Sequence, residues 1–156
     1  AYTLSFWCRR IVVAETTAAN FYFEANVNPG NPYLSIGALW DANYNVLVYQ
    51  QGNVGNGVYI SYPANDTNNW YYFTFVKNNH YFALYTNGVF VSANSNNLFD
   101  ATPPSGGQRL FIGAQGSLGG SRASTPGSYY FDAVSMLYRA LTPPEITNQY
   151  LWATRQ

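Results

Sequence analysis

The chain has 156 residues, its formal net charge is zero, and only 9% of its residues are charged. This length suits one domain with a sizeable core. A neutral chain lacks the basic surface that binds nucleic acid or an anionic membrane, and no apolar run approaches the roughly 20 residues that span a bilayer. So little charge suits a secreted domain or a subunit that is packed into an assembly.

Alternating apolar and polar residues predict short β-strands along most of the chain. In the first strand, Leu4, Phe6 and Cys8 fall on one side. The strands are predicted at 2–8, 21–27, 33–40, 44–50, 57–62, 70–77, 80–86, 88–93, 109–114 and 128–138. Loops rich in Asn, Ser, Gly and Pro are predicted at 63–69, 94–107 and 115–128. Many short strands with turns between them indicate an all-β, two-sheet antiparallel sandwich.

Single residues add detail to this prediction. Asn87-Gly88 fits a two-residue type I′ hairpin turn, in which both central residues need positive φ. His80, the single histidine, follows the Asn78-Asn79 turn and is expected to face solvent. Cys8 is the single cysteine, so no intrachain disulfide can form. Burial in the core and an intermolecular disulfide are the two interpretations of this thiol.

The C-terminal part of the sequence predicts a strand followed by a short helix. Residues 130–138 are mostly β-branched, aromatic or apolar, and no breaker occurs before Pro143. Thr142 stands at the N-cap position, Pro143 at the first helical position, and Glu145 three residues after the threonine. This spacing is that of a capping box, so we expect one short helix at about 142–150.

The acidic residues are too widely spaced to form the carboxylate pair of a retaining glycoside hydrolase. Such an enzyme holds two carboxyl groups about 5 Å apart, so two acids on one strand must lie close together in sequence. The closest pair in this chain, Glu15 and Glu24, is nine residues apart. His80 has no plausible neighbouring nucleophile. We therefore expect that the protein is not an enzyme.

An excess of aromatic residues, with 15 Tyr and 4 Trp, is consistent with a binding surface for sugars. Flat rings can pack on the apolar side of a pyranose, while Asn and Asp form hydrogen bonds with its hydroxyl groups. The candidates in or beside loops are Trp40, Asp41, Asn43, Tyr44, Tyr62, Asn65, Asp66, Asn68 and Asn69. The alternative is structural, because Tyr is a good strand former that pairs across strands with its hydroxyl group in water.

Two of the same loops contain oxygen ligands that suit a structural calcium ion. Ca²⁺ takes about six to eight oxygens from carboxylates, amides and carbonyls. Asp41 with Asn43, and Asp66 with Asn68, supply part of such a set. Asx-turns explain the same residues equally well, because Asn and Asp side chains bond to their own backbone in turns. Both interpretations stay open.

Four stretches of the sequence together resemble a known family. They are Tyr2-Thr3-Leu4-Ser5-Phe6-Trp7; 70–77 followed by Tyr85-Thr86-Asn87-Gly88-Val89; Leu110-Phe111-Ile112-Gly113; and Phe131-Asp132-Ala133-Val134 followed by Arg139-Ala140-Leu141-Thr142. In order and spacing they resemble the laminin-G-like jelly rolls of the concanavalin A-like lectin/glucanase type. The resemblance implies a single jelly-roll domain over residues 1–156, in which Asp132 bonds to neighbouring loop backbone and not to a metal. It departs from the family at Ala133, where a second acid is usual, and at Tyr129, where Gly is usual.

The resemblance also implies that one strand of the family is missing. Family members open with an extra strand beside the closing strand, whereas this sequence starts directly at Ala1-Tyr2-Thr3. An open apolar edge favours strand addition from another chain or from a flanking segment. The predicted assembly edge consists of Tyr130, Asp132, Val134, Met136 and Tyr138. The apolar tail at 150–154 is a second candidate to fill the position.

Two functions from different classes follow from these features. The first is a non-catalytic carbohydrate-binding or adhesion module that is extracellular or displayed on a cell or virion surface. The second is a structural subunit of an extracellular or viral assembly, joined by strand addition at the open edge. The expected partner is a glycan or a neighbouring protein subunit, within a homo-oligomer or a larger chain.

Overall fold

The computed structural model describes residues 1–10, 20–28, 31–38, 45–50, 58–61, 68–95, 109–112, 114–116, 123–126 and 129–155. The strands are β1 (Tyr2–Arg10), β2 (Asn20–Asn28), β3 (Asn31–Ala38), β4 (Asn45–Gln50), β5 (Val58–Ser61), β6 (Tyr71–Asn78), β7 (Tyr81–Thr86), β8 (Val89–Ser95), β9 (Arg109–Ile112), β10 (Ala114–Gly116), β11 (Ala123–Pro126) and β12 (Tyr129–Leu137). A single helix, α1 (Pro143–Ala153), follows them within these ranges. The predicted all-β class with one short C-terminal helix is therefore confirmed. None of the described residues forms a helix long and apolar enough to cross a membrane.

The strands form two five-stranded sheets and a separate two-stranded hairpin. The first sheet has the order β12-β1-β6-β7-β8, the second has the order β5-β4-β3-β2-β9, and β10 pairs with β11. All of these described pairings are antiparallel. Because β1 lies between β12 and β6, the first sheet joins the beginning, the middle and the end of the chain.

Two details of the prediction are wrong. β11 lies inside the predicted loop 115–128. A strand of four residues is too short to show alternation, and the proline at its end argues against a strand. The tail also differs, because residues 150–153 complete α1 instead of forming a strand beside β12. No helix breaker follows Tyr150, so the helix continues for three further residues.

One face of the first sheet, called the apolar face below, is a continuous aromatic core. Its fully buried large side chains are Leu4, Phe6, Phe73, Phe75, Phe82 and Leu84. The ring centroid of Phe6 lies 5.8 Å from those of both Phe73 and Phe75. Burying each such side chain stabilises the fold by roughly 1.5–3 kcal/mol. Cys8 lies on the same face and is only 1% exposed, which favours the core interpretation of the thiol over an intermolecular disulfide.

The opposite face of the first sheet, called the helix face below, is partly covered by α1. Val76, Ala83 and Tyr85 of the sheet pack against Leu141 and Ile146 in one buried cluster. Strand β6 is consequently buried along six consecutive residues, since both of its faces are covered. A strand covered on both faces needs apolar residues without alternation, and the run Tyr-Phe-Thr-Phe-Val within β6 approaches this composition.

A chain of polar contacts positions α1 along the helix face. Ser5 Oγ lies 3.2 Å from Thr74 Oγ1 and 3.2 Å from Gln149 Oε1. The side-chain amide of Gln149 donates to Ser135 Oγ at 3.3 Å. One helix residue thus contacts both β1 and β12. Unpaired buried hydroxyl groups are unfavourable, so these contacts stabilise one position of the helix over others.

The Asn87-Gly88 turn joins β7 and β8 as predicted. Both residues have positive φ, 52° at Asn87 and 76° at Gly88. Asn87 also connects this turn to β6, because its Oδ1 accepts the backbone N–H of Tyr72 at 2.8 Å. A Cβ atom added at Gly88 would lie 3.1 Å from Tyr150 Cδ1, so the turn and α1 approach each other closely.

Thr3 connects the first strand to the segment between β12 and α1. Its hydroxyl group donates to the carbonyl oxygen of Arg139 at 2.8 Å and accepts the backbone N–H of Leu141 at 3.0 Å. Thr3 is buried, so water does not replace these bonds. The two bonds fix where the chain leaves the sheet and begins the helix.

The helix then begins at the predicted capping box. The Glu145 carboxylate accepts the backbone N–H of Thr142 at 2.8 Å and the Thr142 hydroxyl at 2.9 Å. It also forms an ion pair with Arg139 at 2.8 Å. The hydrogen bond with Arg139, followed by those with Thr142, lowers the pKa of Glu145 from its ordinary value of 4.5 to about 2.

Replacing Thr3 with Val should lower the free energy of unfolding by about 1–3 kcal/mol, the usual effect of leaving buried polar groups unpaired. Val keeps the volume and the strand preference of Thr but offers no bond to Arg139 or Leu141. Thr3→Ser, which keeps the hydroxyl group, is the matched control. Urea unfolding measures both, and a valine variant at least as stable as the serine variant would contradict this role for the hydroxyl group.

The ion pair of Glu145 should make stability depend on pH in acid. Because the folded pKa is depressed, the contribution of Glu145 is present above pH 4.5 and is lost as the pH falls towards about 2. Wild type and Glu145→Gln should therefore differ in unfolding free energy at pH 5.5, and the difference should shrink as the pH approaches 2. A difference that is constant across this range would contradict the depressed pKa.

Candidate functional site

Most of the sugar-binding residues predicted from the sequence lie outside the described residues. These are Trp40, Asp41, Asn43, Tyr44, Tyr62, Asn65 and Asp66, which include both calcium candidates. Asn68 and Asn69 are described; both are exposed and lead directly into Trp70. In the part of the chain that the structure describes, no three His, Cys, Asp or Glu side chains lie close enough together to hold a metal ion. The loop site and the calcium ion both stay predictions.

Three side chains form a row across neighbouring strands at one end of the helix face. Arg9 of β1 lies opposite Tyr130 of β12, and Trp70 immediately precedes β6 on the other side. The Arg9 guanidinium carbon lies 4.9 Å from the ring centroid of Tyr130 and 5.6 Å from that of Trp70. The two rings are 6.3 Å apart. With Trp70 39% and Tyr130 48% exposed, both rings keep surface that a ligand can reach.

Helix α1 ends over the next row of side chains on the same face. Trp7 lies opposite Tyr72 on one side and opposite Asp132 on the other. The ring of Tyr150 packs against both aromatic residues, with centroids 5.9 Å from Trp7 and 6.0 Å from Tyr72. Burial raises the pKa of Tyr72, and a hydrogen bond with Ser5 offsets part of this effect. The Tyr72 phenol therefore stays neutral at physiological pH and forms a fixed support for Trp7.

An open cleft of about 350 Å³ lies between these rows and the end of the helix. The described residues that line it are Trp7, Trp70, Asp132, Ala153 and Thr154. Two indole side chains provide apolar surface, while one carboxylate and one hydroxyl group can form hydrogen bonds. Apolar walls with a few polar groups are typical of small-molecule sites.

A β-bulge in β12 holds the carboxylate of Asp132 in place. The pairing of β1 with β12 shifts by one residue between Ser5 and Trp7, which leaves an extra residue on β12. Ala133 at this point has a φ of +46°, in the left-handed region that non-glycine residues rarely adopt. Asp132 Oδ1 accepts the backbone N–H of Ala133 at 2.7 Å. This bond lies within β12 itself, so the bond to loop backbone that the family resemblance implied for Asp132 stays a prediction.

The predicted assembly edge lies at the border of the first sheet. Among the described strands, β12 pairs with β1 alone. Tyr130, Asp132, Val134, Met136 and Tyr138 are all exposed, and Tyr138 is 89% exposed. Nothing in the structure shows what covers this edge. Its role in assembly stays a prediction.

The described carboxylates are far from forming a catalytic pair. Asp132 lines the cleft, whereas Glu145 belongs to the first turn of α1, at the other end of the helix. His80 is exposed in the turn between β6 and β7, as predicted. Asp132 and Glu145 are therefore too far apart to act as a pair of general acid and base.

The sequence pattern did not indicate Trp7, Trp70 and Tyr130 as a group, because it assigned each of them to a strand. They lie on β1, before β6 and on β12, so only the pairing register brings them together. One local signal was available: Trp70 directly follows the exposed candidates Asn68 and Asn69.

Residues 1–147 match a family model described as the concanavalin A-like lectin/glucanases superfamily. No curated protein matches the chain in sequence. Among solved structures, the binding domain of botulinum neurotoxin serotype D/C VPI 5993 aligns with a TM-score of 0.70 and 16% identity, over 97% of this chain and 36% of that one.

Two further structures have a similar fold. The native heptameric SAP-like pentraxin from Limulus polyphemus has a TM-score of 0.68 and 19% identity, over 94% of this chain and 67% of the pentraxin. Trypanosoma rangeli sialidase has a TM-score of 0.69 and 16% identity, over 98% of this chain but only 23% of the sialidase. At these identities the likeness shows the fold alone. The chain spans less than two thirds of the toxin domain and of the sialidase.

Replacing Ala133 with Gly should stabilise the protein by about 0.5–1 kcal/mol. The left-handed conformation costs an alanine roughly 1–2 kcal/mol, and glycine adopts it freely, although part of this gain is lost to the greater entropy of the unfolded chain. Thermal unfolding measures the change. Ala93→Gly, at a position of β8 without positive φ, is the control and should destabilise; if Ala133→Gly destabilises equally, the bulge is not strained.

Proposed function

Because this chain belongs to the concanavalin A-like lectin/glucanase superfamily, we propose that it is a non-catalytic carbohydrate-binding or adhesion module. The observation that carries this proposal is the open cleft lined by Trp7, Trp70 and Asp132. We place the module outside the cell or on a cell or virion surface. Its low charge and its likeness to a toxin binding domain and a pentraxin support that location.

The chemistry of the cleft suits a sugar ring. A pyranose has an apolar side, which can pack on an indole or phenol ring, and a rim of hydroxyl groups. Trp70 and Tyr130 offer exposed rings, while Asp132 accepts hydrogen bonds and Thr154 can donate or accept them. Because the cleft is open, a ligand can extend beyond it in either direction. This favours a ring within a glycan chain over a fully enclosed small molecule.

We also infer that the two five-stranded sheets pack face to face as a jelly-roll sandwich in one domain. The apolar face of the first sheet supports this, since Leu4, Phe6 and Phe75 are at most 1% exposed and need a second layer over them. Strand β5 of the second sheet also lies close to β7 and β8 of the first. In this arrangement α1 is an outer layer on the helix face.

The absence of catalysis remains part of the proposal. The sialidase among the similar structures is named as an enzyme, but the chain covers only 23% of it at 16% identity. The sequence contains no closely spaced acids, and Asp132 and Glu145, whose side chains the structure describes, lie at opposite ends of α1. A binding module does not need a pair of neighbouring carboxylates.

Replacing Trp70 with Ala should weaken binding to an immobilised glycan tenfold or more, because truncating a tryptophan at the centre of a contact often costs about 2 kcal/mol. Tyr138→Ala is the matched control, since this aromatic side chain is more exposed but lies at the other end of β12. A glycan array finds the ligand, and titration of the best hit measures the affinity of each variant.

The same titration separates the cleft from the loop site predicted from the sequence. Loss of binding in Trp40→Ala or Asp66→Ala, with Trp70→Ala unaffected, would place the ligand in the loops. Circular dichroism of each variant shows whether it is folded. Equal binding by all variants would rule out both sites.

A structural subunit is the second candidate, and the exposed edge of β12 favours it. Val134, Met136 and Tyr138 leave apolar surface on an edge of β12 that no other described strand pairs with, a combination that invites strand addition. An assembly subunit should be larger than a monomer in solution, with slow hydrogen exchange at the amides of these residues. A stable monomer in which they exchange fast would exclude assembly through this edge.

A further inference from the structure

The described lining of the cleft includes one carboxylate. Asp132 is the only charged side chain among the described residues that line it. Its Oδ1 accepts the Ala133 N–H at 2.7 Å. Its Oδ2 accepts no hydrogen bond from another described residue, and it is therefore available to a ligand.

The end of α1 adds to this negative potential. Ala153 and Thr154, which line the cleft, are the last helical residue and the C-cap. The C-terminal end of a helix carries a partial negative charge from its aligned carbonyl groups. No basic side chain lies in the last turn of the helix to offset it. The carboxylate of Asp132 and the C-terminal end of α1 therefore both contribute negative electrostatic potential to the cleft.

The aromatic rings beside the cleft already hold a cation of the protein itself. The Arg9 guanidinium lies 4.9 Å from the ring centroid of Tyr130 and 5.6 Å from that of Trp70. Indole and phenol rings attract cations through the negative potential of their faces. Neither Arg9 nor the exposed Arg155 is among the described residues that line the cleft. Trp7 and Trp70 are both rings of this kind in the lining of the cleft, and Trp70 already lies against Arg9 on one side.

We propose that the cleft selects glycans that carry protonated amino groups, such as oligomers of glucosamine. The inference rests on the carbohydrate-binding function proposed above and specifies its ligand class. The sugar ring packs on the exposed aromatic side chains, and its ammonium group lies between the Asp132 carboxylate and the end of α1. Acetylation of the amine removes the charge, and a sugar carboxylate would meet Asp132 as a like charge; both changes weaken binding.

The test compares three soluble ligands: a glucosamine oligomer, its fully N-acetylated counterpart and a glucose oligomer of equal length. Calorimetric titration of wild type at low ionic strength should give an affinity about fivefold higher for the glucosamine oligomer than for the others. This preference should shrink as salt is raised, since salt screens exposed charges. Asp132→Asn removes the charge, keeps the acceptor for the Ala133 N–H, and should bind all three ligands equally.

Two further variants change the charge at either end of α1. Ala153→Lys adds a cation at the end of the helix that lines the cleft, without changing β12, and should also abolish the preference. Glu145→Gln removes one negative charge at the far end of α1 and should leave the preference intact.

The outcomes separate this inference from the function on which it rests. If wild type binds all three oligomers with equal affinity and Trp70→Ala weakens that binding, the amine preference is wrong and the binding function stands. A preference for the glucosamine oligomer that remains in both Asp132→Asn and Ala153→Lys would also overturn the inference, since other residues would then recognise the ammonium group. Failure of wild type to bind any glycan, on an array or in titration, would overturn both.

Discussion

The bonds of Thr3 to Arg139 and Leu141 place the start of α1 over one end of the first sheet. From there the helix advances along the helix face towards Trp7, and its eleven residues span about 16 Å. The nine residues of β1 span about 30 Å. A helix of this length ends before the last row of the sheet, and the cleft lies beside its end. The position of the cleft therefore follows from where this short helix begins.

The edge strand β12 contributes to both candidate functions. Its bulge at Ala133 bends the strand and orients Asp132 at the cleft. Bulges are also one of the ways in which natural sheets hinder pairing at an exposed edge. The residues beyond the bulge, Val134 to Tyr138, keep an exposed apolar surface. A strand added along the whole edge would approach Tyr130 and Asp132, so binding at the cleft and assembly at the edge would compete.

The fold itself says little about the ligand. A pentraxin, a sialidase and a toxin binding domain share it with this chain at 19% identity or less. Sheets with a buried apolar face tolerate wide changes of sequence provided that the pattern and volume of the core are kept. Function depends on the groups that a particular chain places on that framework. In this chain those groups are the aromatic rows of the helix face and the carboxylate beside them.

The sequence by itself determined the features that depend on near neighbours: the strand positions from alternation, the Asn87-Gly88 turn from its need for positive φ, and the capping box from the spacing of Thr142 and Glu145. It missed β11, whose four residues are held by pairing with β10. Only the tertiary structure brought Trp7, Trp70 and Asp132 together, because that contact requires the register of three strands from distant parts of the chain. The bulge that orients Asp132 likewise follows from pairing with β1, since no local pattern places an alanine in the left-handed region.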